Sequence, residues 1–325
     1  STVPLETGES SLTTNIGSVQ NAGIELGVNF GVIRNQNFTW DVNVAFARNW
    51  SKIKELPSGD DVSNNWFIGE RLNVLRDYTY AGVITADGVT MHTINGDKHY
   101  TLQEVYDKYG PKSPNKLKWY EGQMAVNDWN DDGKINDEDK QIYGCTDPKW
   151  TGSLSSTMTY KGFDFSFMLY TKQGQWSRSY FHEQYMDISD RGRQKMSFDY
   201  YIPAGTPVLD KATGDITYLE TPHMGAYPYP NNYEKTGGGY FSKSSSGVRY
   251  QKTSFVKVKN ITLGYTFPKK WMSKIAVKHL RLYVNVLNPF CFTGYDGFDP
   301  EWASANLTDG GPASVTYQIG ANIKF

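Results

Sequence analysis

Between residues 22 and 33 every second position is apolar. Ile24, Leu26, Val28, Phe30 and Val32 fall on one face of an extended chain, and Glu25, Gly27, Asn29 and Gly31 on the other. After a short turn at 34–37 the pattern resumes, with Trp40, Val42, Val44 and Phe46 opposing Asp41, Asn43, Ala45 and Ala47. A period of two marks a strand whose two faces meet different environments. A third segment places Trp150, Leu154, Met158 and Tyr160 on one face. Beyond a two-residue turn at Lys161 and Gly162 come Phe163, Phe165, Phe167 and Leu169. Later segments carry Ile261, Leu263, Tyr265 and Phe267, then Leu280, Leu282, Val284 and Val286, and finally Tyr317, Ile319, Ala321, Ile323 and Phe325. The segments run about 10 to 13 residues, longer than the usual soluble strand and the length of a tilted membrane-spanning one. The pattern predicts an all-β fold, an antiparallel transmembrane β-barrel, against the alternative of long amphipathic strands in a large soluble sandwich.

Aromatic spacing favours the barrel. Trp40 and Trp50 lie ten positions apart on one face, as do Trp150 and Tyr160. Ten residues at ~3.3 Å, tilted by ~40°, rise ~25 Å along the membrane normal, about the height of the apolar band on such a barrel. These four aromatics are expected at the membrane interfaces. Arg48 breaks the apolar parity, but beside Trp50 its long side chain can reach the headgroup region. Connection lengths agree. With Phe325 on the periplasmic side, the long connections 51–149, 174–250 and 294–313 all fall outside the cell and the short ones inside, as in bacterial barrels. The terminal strand, with Tyr317, Ile319, Ile323 and the final Phe325, has the form of a barrel-assembly signal.

One outer connection contains DWNDDGKINDEDKQIYG, residues 128–144. Counted from Asp128, it places Asp128, Asn130 and Asp132 at positions 1, 3 and 5 of a calcium loop. Gly133 stands at the sharp bend, the Lys134 carbonyl at position 7, Asn136 at 9 and Asp139 at 12. Three hard side-chain oxygens and a carbonyl on one concave turn suit Ca²⁺. Position 12 is normally a bidentate Glu; Asp139 is one methylene shorter, and Glu138 or Asp137 are alternatives. The other reading is a metal-free turn, since Asp, Asn and Gly are common turn formers. No flanking helices are evident, which excludes an ordinary EF-hand. The loop is expected to lead almost directly into the strand at Trp150, at the extracellular rim.

Composition adds limits. The 325 residues carry 33 basic and 34 acidic side chains, a net charge of −1, which gives no footprint for nucleic acid. Tyr, Phe and Trp reach 15%. Mean hydropathy is −0.57, compatible with a barrel because half of each spanning strand faces polar space. No apolar run approaches the ~20 residues of a spanning helix. Cys145 and Cys291 show no metal spacing and read as separate thiols, against the alternative of a pair formed in an oxidising compartment. His92, His99, His182, His223 and His279 are scattered. No catalytic motif or Walker loop is present, and Gly237–Gly239 reads as a plain loop segment. The outer segment 174–250 is dense in aromatics, among them Trp176, Tyr180, Phe181, Tyr185, Tyr200, Tyr201, Tyr218, Tyr227, Tyr229, Tyr233 and Tyr240. They either meet a sugar or protein partner or pack the loop against itself.

Several stretches together resemble the C-terminal half of the SusC/RagA-type TonB-dependent outer-membrane transporters of Bacteroidetes. They are NIGSVQNAGIELGVNFGVIRNQNFTWDVNVAFARNWSKI, DWNDDGKINDEDKQIYG, PKWTGSLSSTMTYKGFDFSFMLY, FVKVKNITLGYTFP, LRLYVNVLNPFCFTGYDGFDPE and the terminal strand. The resemblance implies part of a large 22-stranded barrel with an N-terminal plug, integral to the outer membrane. It also implies a SusD-like surface lipoprotein as partner, energy from the TonB complex, and an oligosaccharide or oligopeptide substrate, with no covalent chemistry. On that reading residues 1–325 are the C-terminal portion of one barrel domain, with 51–148 and 174–250 as long extracellular loops and the plug and first strands outside this chain. Calcium is expected only as a structural ion, and the polar strand positions Asn29, Asp41 and Asp164 face the lumen. The alternative is a secreted, calcium-stabilised, β-rich glycan-binding or adhesive protein.

Overall fold

The computed structural model describes residues 17–110, 120–185, 199–229, 249–304 and 311–325, with 183–185 by backbone alone. The glycines at 237–239, Tyr233 and Tyr240 lie outside the described residues. Seven strands form one open sheet: β1 (Ser18–Arg34), β2 (Phe38–Glu55), β3 (Trp150–Tyr160), β4 (Phe163–Gln173), β5 (Phe255–Thr266), β6 (His279–Thr293) and β7 (Thr316–Lys324). Each pairs antiparallel with its neighbours in sequence, a plain meander. All seven expected segments are strands, in the expected order.

Register turns the alternation into two faces. Ile33, Trp40, Met158, Phe165, Leu263, Val284 and Ile319 stand opposite one another in a row across all seven strands. One residue along, on the other face, runs Gly31, Asp41, Thr157, Ser166, Thr262, Asn285 and Gln318. The first row is wholly apolar and the second has no apolar side chain larger than glycine. A slip of one residue in any pairing would mix the two rows, so the register is the one that keeps the faces distinct. Nothing described covers the apolar row: Leu263 is 53% and Ile319 87% exposed. No described helix is long and apolar enough to cross a membrane.

The short turns follow from local chemistry. Asn35 Oδ1 accepts the Asn37 and Phe38 amides at 3.0 and 2.8 Å, closing β1 onto β2. Lys161 and Gly162 have φ of 45° and 91°, the left-handed pair that joins two twisted strands in two residues. At Gly162 a Cβ would lie 2.7 Å from the Thr266 carbonyl oxygen, so close approach adds to the φ requirement.

At the other end the long connections fold together. The first holds its own core of Ile84, Met91, Val105, Tyr109, Ala125 and Val126, all fully buried. It is built from the strand pairs Tyr80–Val83 with Met124–Val126 and Val89–Thr93 with Gly96–Tyr100, plus helix α1 (Leu102–Lys108). Thr101 and Glu104 cap α1 reciprocally, each side chain bonding the other's backbone amide. A buried ion pair, Arg249 Nη2 to Asp77 Oδ2 at 2.7 Å, ties the first connection to the second. The third is tied in through His182, whose Nδ1 meets Ser179 Oγ and whose Nε2 meets Asp296 Oδ1, both at 2.6 Å. Two expectations change here. Strand β2 continues through Glu55, past the expected end at residue 50. The 128–139 loop leads not straight to Trp150 but into a short strand, Lys140–Cys145, paired with Val74–Tyr78.

Candidate functional site

The apolar face carries aromatics at both ends. At the short-turn edge Phe38, Tyr160, Phe163 and Tyr265 pair in one row, with the Phe163 and Tyr265 rings 4.6 Å apart. At the long-loop edge Trp50 and Trp150 are exposed, Phe46 packs 5.8 Å from Trp150, and the Arg48 guanidinium lies 5.7 Å from the Trp50 ring centre. Trp40 sits one step in from the short-turn edge and is half-buried, its Nε1 donating to Ser156 Oγ at 3.0 Å. Tyr317, Ile319 and Ile323 are exposed on β7, which pairs on one side only among the described residues, and Phe325 is exposed just beyond it.

The opposite face is a hydrogen-bonded polar wall. Asn43 Nδ2 donates to Asn29 Oδ1 at 2.5 Å, Thr262 Oγ1 to Asn285 Oδ1 at 2.9 Å and Asn285 Nδ2 to Gln318 Oε1 at 3.0 Å. Arg281 grips Asp164 with two bonds, 2.9 and 2.5 Å, and Arg34 pairs Asp41 at 2.6 Å. Such a wall can border water or a polar solute. Above it, at the long-loop end of β5, the buried Lys257 ammonium meets both Asp299 oxygens at 2.9 Å and Glu301 Oε2 at 2.6 Å. Lys259 reaches the same Glu301 oxygen at 2.8 Å.

The 128–139 loop joins strand to strand, and a helix supports it from the side. Asp128 and Asp139 are fully buried. Asp128 Oδ2 accepts the Gly133 amide at 2.8 Å and the Tyr109 hydroxyl, with Lys108 Nζ, at the end of α1, 3.4 Å away. Its Oδ1 accepts the Asp132 amide at 3.2 Å. Asn130 Oδ1 takes the Asp132 amide at 3.1 Å, Asp132 Oδ1 the Lys134 amide at 2.8 Å, and Asn136 Oδ1 the Glu138 amide at 2.8 Å. Asp139 accepts the Trp129 amide on Oδ1 and the Asn136 amide on Oδ2, both at 2.8 Å. Burial pushes the Asp139 carboxyl above its ordinary range; the backbone amides offset this in part, and the Asp128 charge adds to it. Asp131, outside the ligand pattern, is instead held at about 2 by hydrogen bonds from Tyr100 and Lys98 against its slight burial. Gly133, at φ 83°, makes the bend. The donor set of a calcium loop is present in order, but among the described residues no three carboxylate, imidazole or thiol groups converge on one point.

Beside this loop lies a cleft of about 820 Å³ among the outer connections, walled by Tyr80, Trp129, Tyr143, Trp176, Tyr227 and Tyr250. Tyr143 lies 5.7 Å from Trp176 and 5.0 Å from Tyr250, ring centre to ring centre. Lys252 Nζ is 5.4 Å from the Trp176 ring centre. The aromatic-rich 174–250 segment thus divides. Phe181, Tyr200 and Tyr201 pack inward; Trp176 and Tyr227 face the cleft; Tyr218 is 69% exposed on the hairpin of Pro207–Leu209 with Ile216–Tyr218.

No family model matches the chain. Curated proteins do. TonB-dependent receptor P39 of Formosa agariphila is 30% identical over 354 residues, 99% of this chain and 32% of that protein. TonB-dependent receptor SusC of Bacteroides thetaiotaomicron is 28% identical over 328 residues, 99% of this chain and 28% of that protein. The solved RagAB peptide transporter superposes over the whole chain and 31% of its own, with a TM-score of 0.61 at 17% identity. The chain is similar along its whole length to SusC-type TonB-dependent receptors. It spans about a third of the length of the relatives it matches, and its open sheet is one sector of an antiparallel barrel. Sequence patterns did not reveal how Lys108 and Tyr109 close on Asp128, how Lys257 latches Asp299 and Glu301, or the cleft. Each joins residues far apart in the chain, and only register and loop packing bring them together.

Proposed function

We propose that this chain is the outer-membrane, C-terminal part of an importer that carries an oligosaccharide or oligopeptide, coupled to the TonB complex and working with a SusD-like surface lipoprotein. The observation that carries the reading is the uncovered apolar row lying back to back with a hydrogen-bonded polar row: one face suits lipid, the other a hydrated lumen. On this reading the aromatic rows mark the membrane interfaces, and Tyr317, Ile319, Ile323 and Phe325 are the assembly signal. The full-length protein is then expected to pellet with membranes and to need detergent for release. Deleting its gene should abolish growth on one class of oligomer while growth on the monomer persists. Recovery in the soluble fraction without detergent overturns it.

The same reading includes calcium in the rim loop, held by Asp128, Asn130, Asp132 and the Lys134 carbonyl, with Asn136 and Asp139 completing the turn. Its support is the ligand order and the two fully buried aspartates, Asp128 and Asp139, whose adjacent charges a dication would neutralise. Adding EGTA to the purified receptor should speed proteolysis within 128–139 several-fold, and excess calcium should reverse it. Equal cleavage with and without chelator would mean that Lys108 and the backbone amides suffice.

A further inference from the structure

At the short-turn edge of the sheet the lysines stand without acidic partners. Between β5 and β6 the chain reads PKKWMSKIAVK, residues 268–278, with four lysines and no acid. Pro268 starts one helical turn, Lys269–Met272, which tightens over Ser273–Ile275, and Ala276 at φ 56° ends it. Both ends are fixed, the Phe267 amide on the Leu280 carbonyl at 2.9 Å and the Lys278 amide on the Lys324 carbonyl at 2.8 Å. Met272 packs inward, but Trp271 is 55% and Ile275 62% exposed, and Lys269, Lys270, Lys274 and Lys278 are exposed around them. Lys161 and Lys324, also exposed, stand on the same edge, with Lys161 Nζ 5.2 Å from the Tyr160 ring centre. None of these six ammonium groups forms an ion pair with a described residue. Among the described residues the acids of this edge are Asp41 and Asp164, and Arg34 and Arg281 hold them. Toward the long loops, cations are neutralised instead: Arg249 by Asp77, Lys257 by Asp299 and Glu301, Lys108 by Asp128.

We infer that this edge binds the headgroups of an anionic phospholipid, of the phosphatidylglycerol class, in the leaflet that faces the periplasm. The inference rests on the membrane reading proposed above, which lays the short turns along that headgroup plane. The apolar face of β5 ends in Tyr265 and Phe267, their rings 5.0 Å apart, and Trp271 and Ile275 carry exposed apolar surface on into the turn. An exposed indole among lysines is the composition of an interfacial anchor, with the ring at the acyl boundary and the ammonium groups reaching the phosphates. The lysines are spread from the β3–β4 turn to the end of β7, not gathered round a pocket. That spread suits a plane of headgroups better than one compact anion. A soluble acidic polymer would meet the lysines and leave Trp271 and Ile275 in water. Lipid meets both.

The test is native mass spectrometry of the full-length protein purified in detergent, with dioleoyl-phosphatidylglycerol and dioleoyl-phosphatidylcholine added in equal amounts. Phosphatidylglycerol is expected to bind about fivefold more tightly or better, the gain from one lysine at an anionic surface. Raising ammonium acetate from about 0.1 M to about 1 M should erase most of that preference. Arg48 at the other edge favours the same lipid, so the decisive quantity is what the lysine variants lose. Combining Lys269→Gln, Lys270→Gln and Lys274→Gln, all exposed changes with little bearing on folding, should weaken phosphatidylglycerol about fivefold or more and leave phosphatidylcholine alone. Lys211→Gln, on the exposed outer hairpin, should change neither. The inference is overturned if the wild type binds both lipids equally or if the triple variant binds as the wild type does. A triple variant that keeps its phosphatidylglycerol but no longer sediments with peptidoglycan overturns it in favour of a wall polymer. Fractionation keeps the two readings apart. A protein that needs detergent for release but shows no lysine-dependent lipid preference removes this inference and leaves the membrane reading standing. A protein recovered soluble without detergent removes the membrane reading itself.

Discussion

On the import reading, replacing Leu263 by arginine is expected to remove most of the full-length protein from the outer membrane, whereas the same change at Thr262 should leave its level nearly unchanged. The two residues are adjacent in β5 and differ only in the face they present. Leu263 stands in the apolar row between Phe165 and Val284 and is 53% exposed, with no described residue over it. In lipid that exposure is contact with acyl chains, and one step inside the Tyr265 row a guanidinium costs about 1–2 kcal/mol, between the interfacial and midplane values. Thr262 stands in the polar row between Ser166 and Asn285, where a cation meets water and carbonyl or amide oxygens. A difference of that size shifts a folded fraction about fivefold or more. Immunoblots of outer-membrane fractions, with unheated electrophoresis to separate folded from unfolded barrel, read it directly. Equal amounts of folded protein from both variants would sink the membrane reading and favour a secreted β-rich protein whose apolar face is covered by other residues.

That contrast also shows why the strands were legible and the outer connections less so. In β3 and β4 the period of two comes from two different surroundings along the whole strand, so Trp150 to Tyr160 and Phe163 to Leu169 announce themselves without reference to anything distant. The turn at Lys161 and Gly162 is equally local, set by two left-handed residues. Strand β2 ran on to Glu55 because Ile53 is buried, with backbone bonds to Gly69 and Glu70, and that packing has no signature in the alternation. The rim loop was half legible. Its ligand order and its glycine bend are local, while its supports come from Tyr109, 19 residues upstream of Asp128, and from the Lys108 beside it. The cleft was least legible. Trp176 and Tyr200 look alike within an aromatic-rich segment, yet one lines the cleft and the other packs inward. Only the pairing of Trp176–Arg178 with Tyr250–Lys252 decides which is which.

Lys257→Met is expected to detach the outer connection that follows β6 and to destabilise the protein by about 3–5 kcal/mol, the usual penalty for removing one partner of a buried ion pair. Lys257 is 3% exposed and Asp299 6%. Without the ammonium, Asp299 keeps only its bond to the Glu301 amide at 2.9 Å, and its charge is left in a poorly hydrated place. Asp299→Asn in the same chain should restore most of the loss, because the remaining side-chain oxygen still caps that amide and no charge is stranded. Recovery in the double variant separates an electrostatic latch from a simple packing defect, which a second substitution would deepen. The latch also has a predictable acid limit. Burial alone would raise the Glu301 carboxyl, but hydrogen bonds from Lys257 and Lys259 outweigh it and hold the group below its ordinary range. Its stabilisation is therefore fully present above the unfolded-state value near 4.5 and is lost only as pH falls through the lower folded-state value. Limited proteolysis across 294–304 should show the connection protected at pH 5 and cut more readily toward pH 3, with Lys257→Met cut readily at both. Cleavage of the wild type that is already maximal at pH 5 would mean that Glu301 is not held by these lysines.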